Sequence, residues 1–201
     1  MNSSSARSSE LPTAEVRPTG RHLWTGLAIG AGVGVLSSLI STLGARSWYE
    51  ALVKPEWAPP SPLLAPLQLL VFLLAGAGWA FLSASGAPFE RKRIVLRWFW
   101  AQLALGLLWA LCFFGAHSSG WGYTVILTWW CAVVALLWTG SRLSRTAFFL
   151  LLPLFGWVTF ASALNFGILS FNVLRQTSAE MDADPRNGNS PAEPPIIVKK
   201  K

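Results

Sequence analysis

The clearest indication of the fold lies in residues 98–141, WFWAQLALGLLWALCFFGAHSSGWGYTVILTWWCAVVALLWTGS. They contain no Asp, Glu, Lys or Arg, and they are about twice as long as one helical crossing of a bilayer, which needs about 20 residues. A polar segment bounded by Gly115 and Gly120 interrupts them near the middle. Because glycine and serine clusters mark turns, the pattern predicts two membrane-spanning helices joined by a tight turn.

Three further stretches without charge, 23–45, 57–89 and 146–174, are each long enough for a crossing. The composition agrees, because charged residues make up 12% of the 201 residues, against about 25% in soluble domains. The stretches lack the period-two alternation of barrel strands, so their backbone hydrogen bonds must be satisfied within helices. We therefore predict an all-α integral membrane bundle with spans near 23–43, 63–84, 95–115, 121–141 and 147–170.

The net charge of +7 resides at helix ends and in the tails, which favours contact with lipid headgroups over binding of nucleic acid. Nine basic residues fall on the predicted N-terminal side of the membrane: Arg7, Arg17, Arg21, Arg91, Lys92, Arg93, Arg97, Arg142 and Arg145. The positive-inside bias then predicts a cytoplasmic N-terminus. The sequence leaves open whether the membrane is a bacterial cell membrane or a mitochondrial outer membrane. Residues 1–22 and 173–201 are predicted to be disordered polar tails flanking a membrane domain at 23–172.

The first loop, residues 47–62, reads SWYEALVKPEWAPPSP. Its four prolines prevent helix continuation, and its aromatic rings favour the membrane interface. Two interpretations stay open at this point: an anchor at the interface, or a lid that caps a cavity at one end of the bundle.

Small residues mark one face of the first span, where Gly26, Gly30 and Gly34 follow at intervals of four. Such a face allows close helix contact, either inside the bundle or between two protomers of a homodimer. Gly106 and Ala110 form a second, weaker face of the same kind on the third span.

On the fifth span, Pro153, Trp157, Ala161 and Asn165 also follow at intervals of four, which leaves a gap beside the Trp157 ring. Asn165, Gln102 and Gln68 are polar in lipid and should face protein or water, through hydrogen bonds between helices or through a ligand. Catalytic triads, metal-ligand clusters and nucleotide fingerprints are absent from the sequence. A cavity lined by aromatic rings and suited to a flat hydrophobic ligand is therefore predicted, with no catalytic residue, metal or required cofactor.

Three motifs in order resemble the TspO family, the tryptophan-rich sensory proteins also known as translocator proteins or peripheral benzodiazepine receptors. They are Trp48-Tyr49 with Lys54-Pro55-x-Trp57-x-Pro59-Pro60, Ala101-Gln102-Leu103 with Trp109, and Pro153 with Trp157, Phe160-Ala161 and Leu164-Asn165. The resemblance covers about residues 22–172.

The resemblance implies a five-helix bundle, often dimeric, whose first loop caps a pocket for porphyrins or other tetrapyrroles, sterols and synthetic ligands. Carried over by position, the implied ligand-binding residues are Leu64, Ala65, Trp121, Trp157, Ala161 and Leu164. The implied lid residues are Trp48, Lys54, Trp57 and Pro60, and Gln102 and Asn165 are supporting polar residues.

The chain departs from the family pattern at Pro62 and Gln68, where the family commonly has tryptophan. The resemblance implies that the family's tryptophan at the position of Gln68 acts in light-dependent porphyrin breakdown, together with the tryptophan that matches Trp157. We therefore expect a membrane receptor or sensor for porphyrin or sterol-like ligands. The alternatives are a porphyrin-degrading activity and a partner subunit without a small ligand.

Overall fold

A computed structural model describes residues 17–44 and 48–183, with side chains as far as residue 178. Five helices follow one another: α1 (Gly20–Gly44), α2 (Ser61–Ala84), α3 (Phe89–Ala110), α4 (Ser119–Gly140) and α5 (Arg145–Ala183). A wider π-helical turn, Leu111–Gly115, extends α3. Each of the five is long and apolar enough to cross a membrane, and the described ranges contain no strand. The predicted five-helix membrane bundle is confirmed.

Prolines and a serine cap define where three of the helices begin. Pro60 and Pro88 stand immediately before α2 and α3 in extended conformations, since proline suits the start of a helix but not its interior. Ser118 precedes α4, and its side-chain oxygen accepts a hydrogen bond from the backbone N–H of Trp121 at 3.3 Å. Pro88 and Ser118 thus follow short turns between neighbouring spans, whereas Pro60 ends the longer first loop between α1 and α2.

Successive helices run in opposite directions, which gives the bundle two ends. At the basic end, α1, α3 and α5 begin, and Lys92 Nζ donates to the carbonyl oxygen of Ser83 at 3.1 Å. At the loop end, Gly44 at the end of α1 lies against Phe114 at the end of α3. The cavity described below lies at the loop end.

The glycine face of α1 packs inside the bundle, against α2. A Cβ atom on Gly26 would lie 2.2 Å from the carbonyl oxygen of Gly76, and one on Gly30 would lie 2.3 Å from that of Phe72. The weaker face of α3 is also internal, since a Cβ on Gly106 would lie 2.8 Å from the Trp129 ring. Both predicted small-residue faces therefore pack against other helices of the same chain.

Two helices extend beyond the predicted bounds of the membrane domain. α1 begins at Gly20, within the predicted tail of residues 1–22, and the Thr19 hydroxyl lies 2.7 Å from the His22 ring nitrogen Nδ1. α5 continues to Ala183, so residues 173–183 are helical although the prediction assigned them to a disordered tail. No proline or glycine interrupts the chain between Gly167 and Pro185, which explains why the helix continues. Residues 1–16 and 184–201 lie outside the described residues.

Candidate functional site

An enclosed apolar cavity lies at the loop end, between α2, α3, α5 and the first loop. The cavity has a volume of about 20 Å³, which accommodates about one water molecule. The cavity is lined by Tyr49, Leu64, Gln68, Trp109, Phe113, Phe114, Trp157, Phe160, Ala161, Leu164 and Asn165.

The wide turn at the end of α3 supplies the aromatic wall of the cavity. Phe113 and Phe114 are neighbours in sequence, yet both are buried, and their rings meet edge to face at 4.9 Å. Trp109 stacks on Phe113 with ring centres 5.7 Å apart. A π-helical turn holds one residue more than an α-helical turn, which changes the direction of the side chains that follow it. The result is a continuous layer of three rings.

Two residues of the cavity wall carry a buried polar atom without a hydrogen-bond partner among the described residues: the Tyr49 hydroxyl and the Trp157 indole N–H. Burial, with a smaller effect of Glu50, raises the pKa of Tyr49 to about 12, so the phenol is neutral at physiological pH. A neutral phenol can donate and accept, whereas an indole can only donate. Both residues line the cavity, and their unpartnered donors lie buried behind a wall surface that is almost entirely apolar.

The two amides of the wall are already engaged between helices. Gln68 accepts from the Ser41 hydroxyl at 3.1 Å and donates to the Ser37 hydroxyl, both on α1. Asn165 accepts from the Trp109 indole at 3.2 Å and donates to the carbonyl oxygen of Ser119 at 3.1 Å. Hydrogen bonds between helices are one of the two alternatives left open for these amides, and they hold this part of the cavity wall in place.

The first loop is attached to α5 at three points. The Asn172 side chain exchanges two hydrogen bonds with the backbone of Val53, at 3.0 and 3.2 Å. Pro55 is buried over Gly167, where a Cβ atom would lie 2.7 Å from the proline Cγ. The Trp57 ring meets the Phe160 ring edge to face at 5.8 Å, although Trp57 is 53% exposed. These contacts support the interpretation of the first loop as a lid.

The predicted lid residues surround the cavity without lining it. Trp48 stacks on the His117 ring at 5.4 Å, and Pro60 is exposed at the start of α2. Lys54 Nζ donates to the carbonyl oxygen of Tyr49 at 2.8 Å and lies 4.6 Å from the centre of its ring. Lys54 thus fastens the residue of the first loop that does reach the cavity.

The structure brings five of the predicted site residues together in the cavity wall: Leu64, Trp157, Ala161, Leu164 and Asn165. Ala65 is half-buried and turned toward α1, where its carbonyl oxygen accepts from the Ser38 hydroxyl at 2.9 Å. Gln102 is fully buried and accepts from the Trp129 indole at 3.4 Å, away from the cavity.

Trp121, which we expected to stack against a ligand, is 69% exposed. The reason is the register of α4, whose interior face carries Gly122, Ile126 and Trp129. Successive helical residues point about 100° apart, so the residue before Gly122 faces outward. The structure does not bring Trp121 into the cavity wall.

Six wall residues were not among the predicted ligand-binding residues: Tyr49, Gln68, Trp109, Phe113, Phe114 and Phe160. The sequence contains a signal for two of these residues: Tyr49 follows Trp48 in the loop motif, and Trp109 lies deep in its span. The burial of both Phe113 and Phe114 depends on the π-helical turn, which no spacing rule predicts.

No three His, Cys, Asp or Glu side chains in the described part of the chain lie close enough together to hold a metal ion. The fold and the cavity together define a class: a multi-pass helical membrane protein with an internal aromatic cavity covered by a loop. The chain matches the TspO/MBR family over residues 25–170, and it belongs to that family.

Curated relatives agree with this assignment. The chain is 35% identical over 140 residues to the tryptophan-rich protein TspO of Chlorobaculum tepidum, which covers 70% of this chain and 89% of the relative. It is 31% identical over 160 residues to the translocator protein of Bos taurus, covering 75% and 94%. It is 31% identical over 145 residues to the tryptophan-rich sensory protein of Cereibacter sphaeroides, covering 71% and 87%.

Proposed function

We propose that this protein is a membrane receptor or sensor that binds a flat hydrophobic ligand, of the tetrapyrrole or sterol type, in the cavity beneath the first loop. The observation that carries the proposal is the cavity wall itself, which combines stacked aromatic rings with two buried donors that have no partner among the described residues. Apolar walls with a few well-placed polar groups are typical of small-molecule sites. Membership of the TspO/MBR family supports the same proposal.

The chemistry of the free donors indicates how such a ligand lies. A porphyrin carries carboxylates at one edge, and a sterol carries a hydroxyl at one end, so either ligand has a polar group for Tyr49 or Trp157. The remaining surface of the ligand contacts apolar side chains and contributes about 25 cal/mol per Å² before the costs of ordering are subtracted. Ala161 leaves space beside the Trp157 ring, which a larger side chain would fill.

Ligand entry requires the cavity to widen, because about 20 Å³ of usable space is far below the volume of a tetrapyrrole. The first loop is the element that we propose to move, since it covers the cavity and joins α1 to α2 without being part of either helix. We propose that the ligand enters when the contacts of Val53, Pro55 and Trp57 with α5 separate.

The test is a titration of the detergent-solubilised protein with protoporphyrin IX in the dark, followed by tryptophan fluorescence. We expect saturable quenching that Ala161→Leu weakens at least about tenfold, because the added carbon atoms occupy the space beside Trp157. The matched control is Ala163→Leu, an exposed position on the same helix, which should leave the affinity unchanged. Equal, non-saturating quenching in all three proteins would mean partition into the micelle and would contradict the proposal.

A photochemical role has less support from the cavity. Gln68 occupies the wall position where the family commonly has tryptophan, and its amide is engaged by two serines. Illumination of the same titration separates the two functions. We expect porphyrin bound to the wild type to bleach no faster than porphyrin bound to Trp157→Phe. Faster bleaching in the wild type would favour the enzymatic alternative.

We also propose that the basic end faces the cytoplasm. The described residues place Arg17, Arg21, Arg91, Lys92, Arg93, Arg97, Arg142 and Arg145 at that end, against Lys54 and Arg175 near the loop end. An excess of basic residues at one end supports this orientation under the positive-inside bias. The cavity would then open toward the opposite side of the membrane.

A further inference from the structure

A second opening lies at the basic end, between the start of α3 and the end of α4, and the proposed function makes no use of it. Its volume is about 230 Å³, so it is far roomier than the inner cavity. We name it the basic groove. It is lined by Arg91, Ile94, Val95, Trp138, Thr139, Arg142 and Leu143.

The two arginines of the basic groove carry charges that the described residues do not neutralise. Both side chains are exposed, and the one ion pair within the described residues joins Lys54 to Glu50 at the loop end. The Arg142 guanidinium lies over the Trp138 ring, 5.6 Å from its centre, a contact that orients the cation without cancelling its charge. Two cations, one from the start of α3 and one from the turn after α4, therefore face one opening.

The remainder of the basic groove is apolar. Ile94 and Trp138 are partly exposed hydrophobic side chains, at 46% and 68%, and Val95 is buried at the base. Trp138 lies in the last turn of α4, and exposed tryptophans near helix ends are typical of the headgroup level of a bilayer. A molecule that matches both features has an anionic head and an apolar tail.

We propose that the basic groove is a binding site for an anionic phospholipid. Arg91 and Arg142 contact the phosphate, and one acyl chain lies along Ile94, Trp138 and Leu143. The charge complementarity and the position at the headgroup level support this occupant, because basic pockets between membrane helices select anionic lipid headgroups. The site lies at the opposite end of the bundle from the cavity, so it does not depend on the ligand proposed above.

The test is native mass spectrometry of the full chain in a nonionic detergent, with phosphatidylglycerol or phosphatidylcholine of identical acyl chains. We expect the protein to retain one phosphatidylglycerol and to bind phosphatidylcholine at least about tenfold more weakly. Arg91→Gln with Arg142→Gln should weaken phosphatidylglycerol binding at least about tenfold. The matched control is Arg93→Gln with Arg97→Gln, which removes two exposed charges of α3 that lie outside the groove. This control should change binding less than about threefold.

A charge-preserving variant guards against loss of the fold. Arg91→Lys with Arg142→Lys should retain binding within about threefold of the wild type, because a lysine also attracts phosphate as a point charge. Equal loss in the Arg91/Arg142 and Arg93/Arg97 glutamine variants would overturn the proposal in favour of general attraction to the headgroup layer. Displacement of the lipid by inorganic phosphate would also overturn it, because the groove would then bind the free anion.

Discussion

The attachment of the first loop to α5 can be tested by one added methyl group. Gly167 lies beneath Pro55, and a Cβ atom at that position would be 2.7 Å from the proline Cγ. Carbon atoms pack at about 3.5–4.0 Å, so Gly167→Ala requires the first loop and the helix to separate by about 1 Å. The proline ring is rigid and buried, which prevents a small local rotation from relieving the contact.

Gly167→Ala should raise the free energy of the closed state of the loop relative to the open state. Alanine favours helix over glycine by about 1 kcal/mol, but this gain is the same whether the loop is open or closed. The steric conflict exists only when the loop is closed, and overpacking of this kind costs about 1–3 kcal/mol. Gly167→Ala should therefore increase the dissociation rate of a bound ligand about 5- to 150-fold.

Two assays measure this effect. Stopped-flow dissociation of protoporphyrin IX into excess lipid vesicles reports the rate, and amide hydrogen exchange of residues 52–58 reports loop opening without any ligand. Gly156→Ala, on the same helix, is the matched control, because a Cβ atom there would have nothing within 4 Å. Unchanged exchange in Gly167→Ala, or equal acceleration in both variants, would refute the assignment of Pro55 and Gly167 as the attachment point.

Two further predictions concern stability. Gly30→Ala should destabilise the bundle by about 1–3 kcal/mol in denaturation by SDS, because its Cβ would lie 2.3 Å from the carbonyl oxygen of Phe72. Gly32→Ala has open space around it and should not destabilise; similar losses in both would contradict the close α1–α2 contact. Burial raises the pKa of Tyr49 from 10.0 to about 12, so the folded state holds the phenolic proton more tightly than the unfolded state. The contribution of Tyr49 to the free energy of unfolding should then be constant below pH 10 and should fall as the pH rises from 10 to 12. Tyr49→Phe should remove part of this decrease in thermal unfolding at high pH, and an identical pH profile would count against the burial of Tyr49.

Much of the candidate site could be predicted on α5, and less on the other elements. Trp157, Ala161 and Asn165 share one face because residues four apart lie above one another in a helix. The resemblance to the family adds Leu64 and Leu164, which also line the cavity. The prediction for Trp121 does not match its exposed position, because carrying a residue over by position does not specify which way its helix is rotated.

The number of spans, their order and the segments that join them follow from the amino-acid sequence. These features are local, since a bilayer requires about 20 apolar residues in one run and prolines and glycines end such runs. The face of each helix that lines the cavity depends instead on how the helices pack. In a soluble protein, amphipathic periodicity marks the inner face, whereas lipid tails are as apolar as a protein core and weaken that signal. The inward positions of Tyr49, Phe113 and Phe114 therefore depend on how the helices and the first loop pack together.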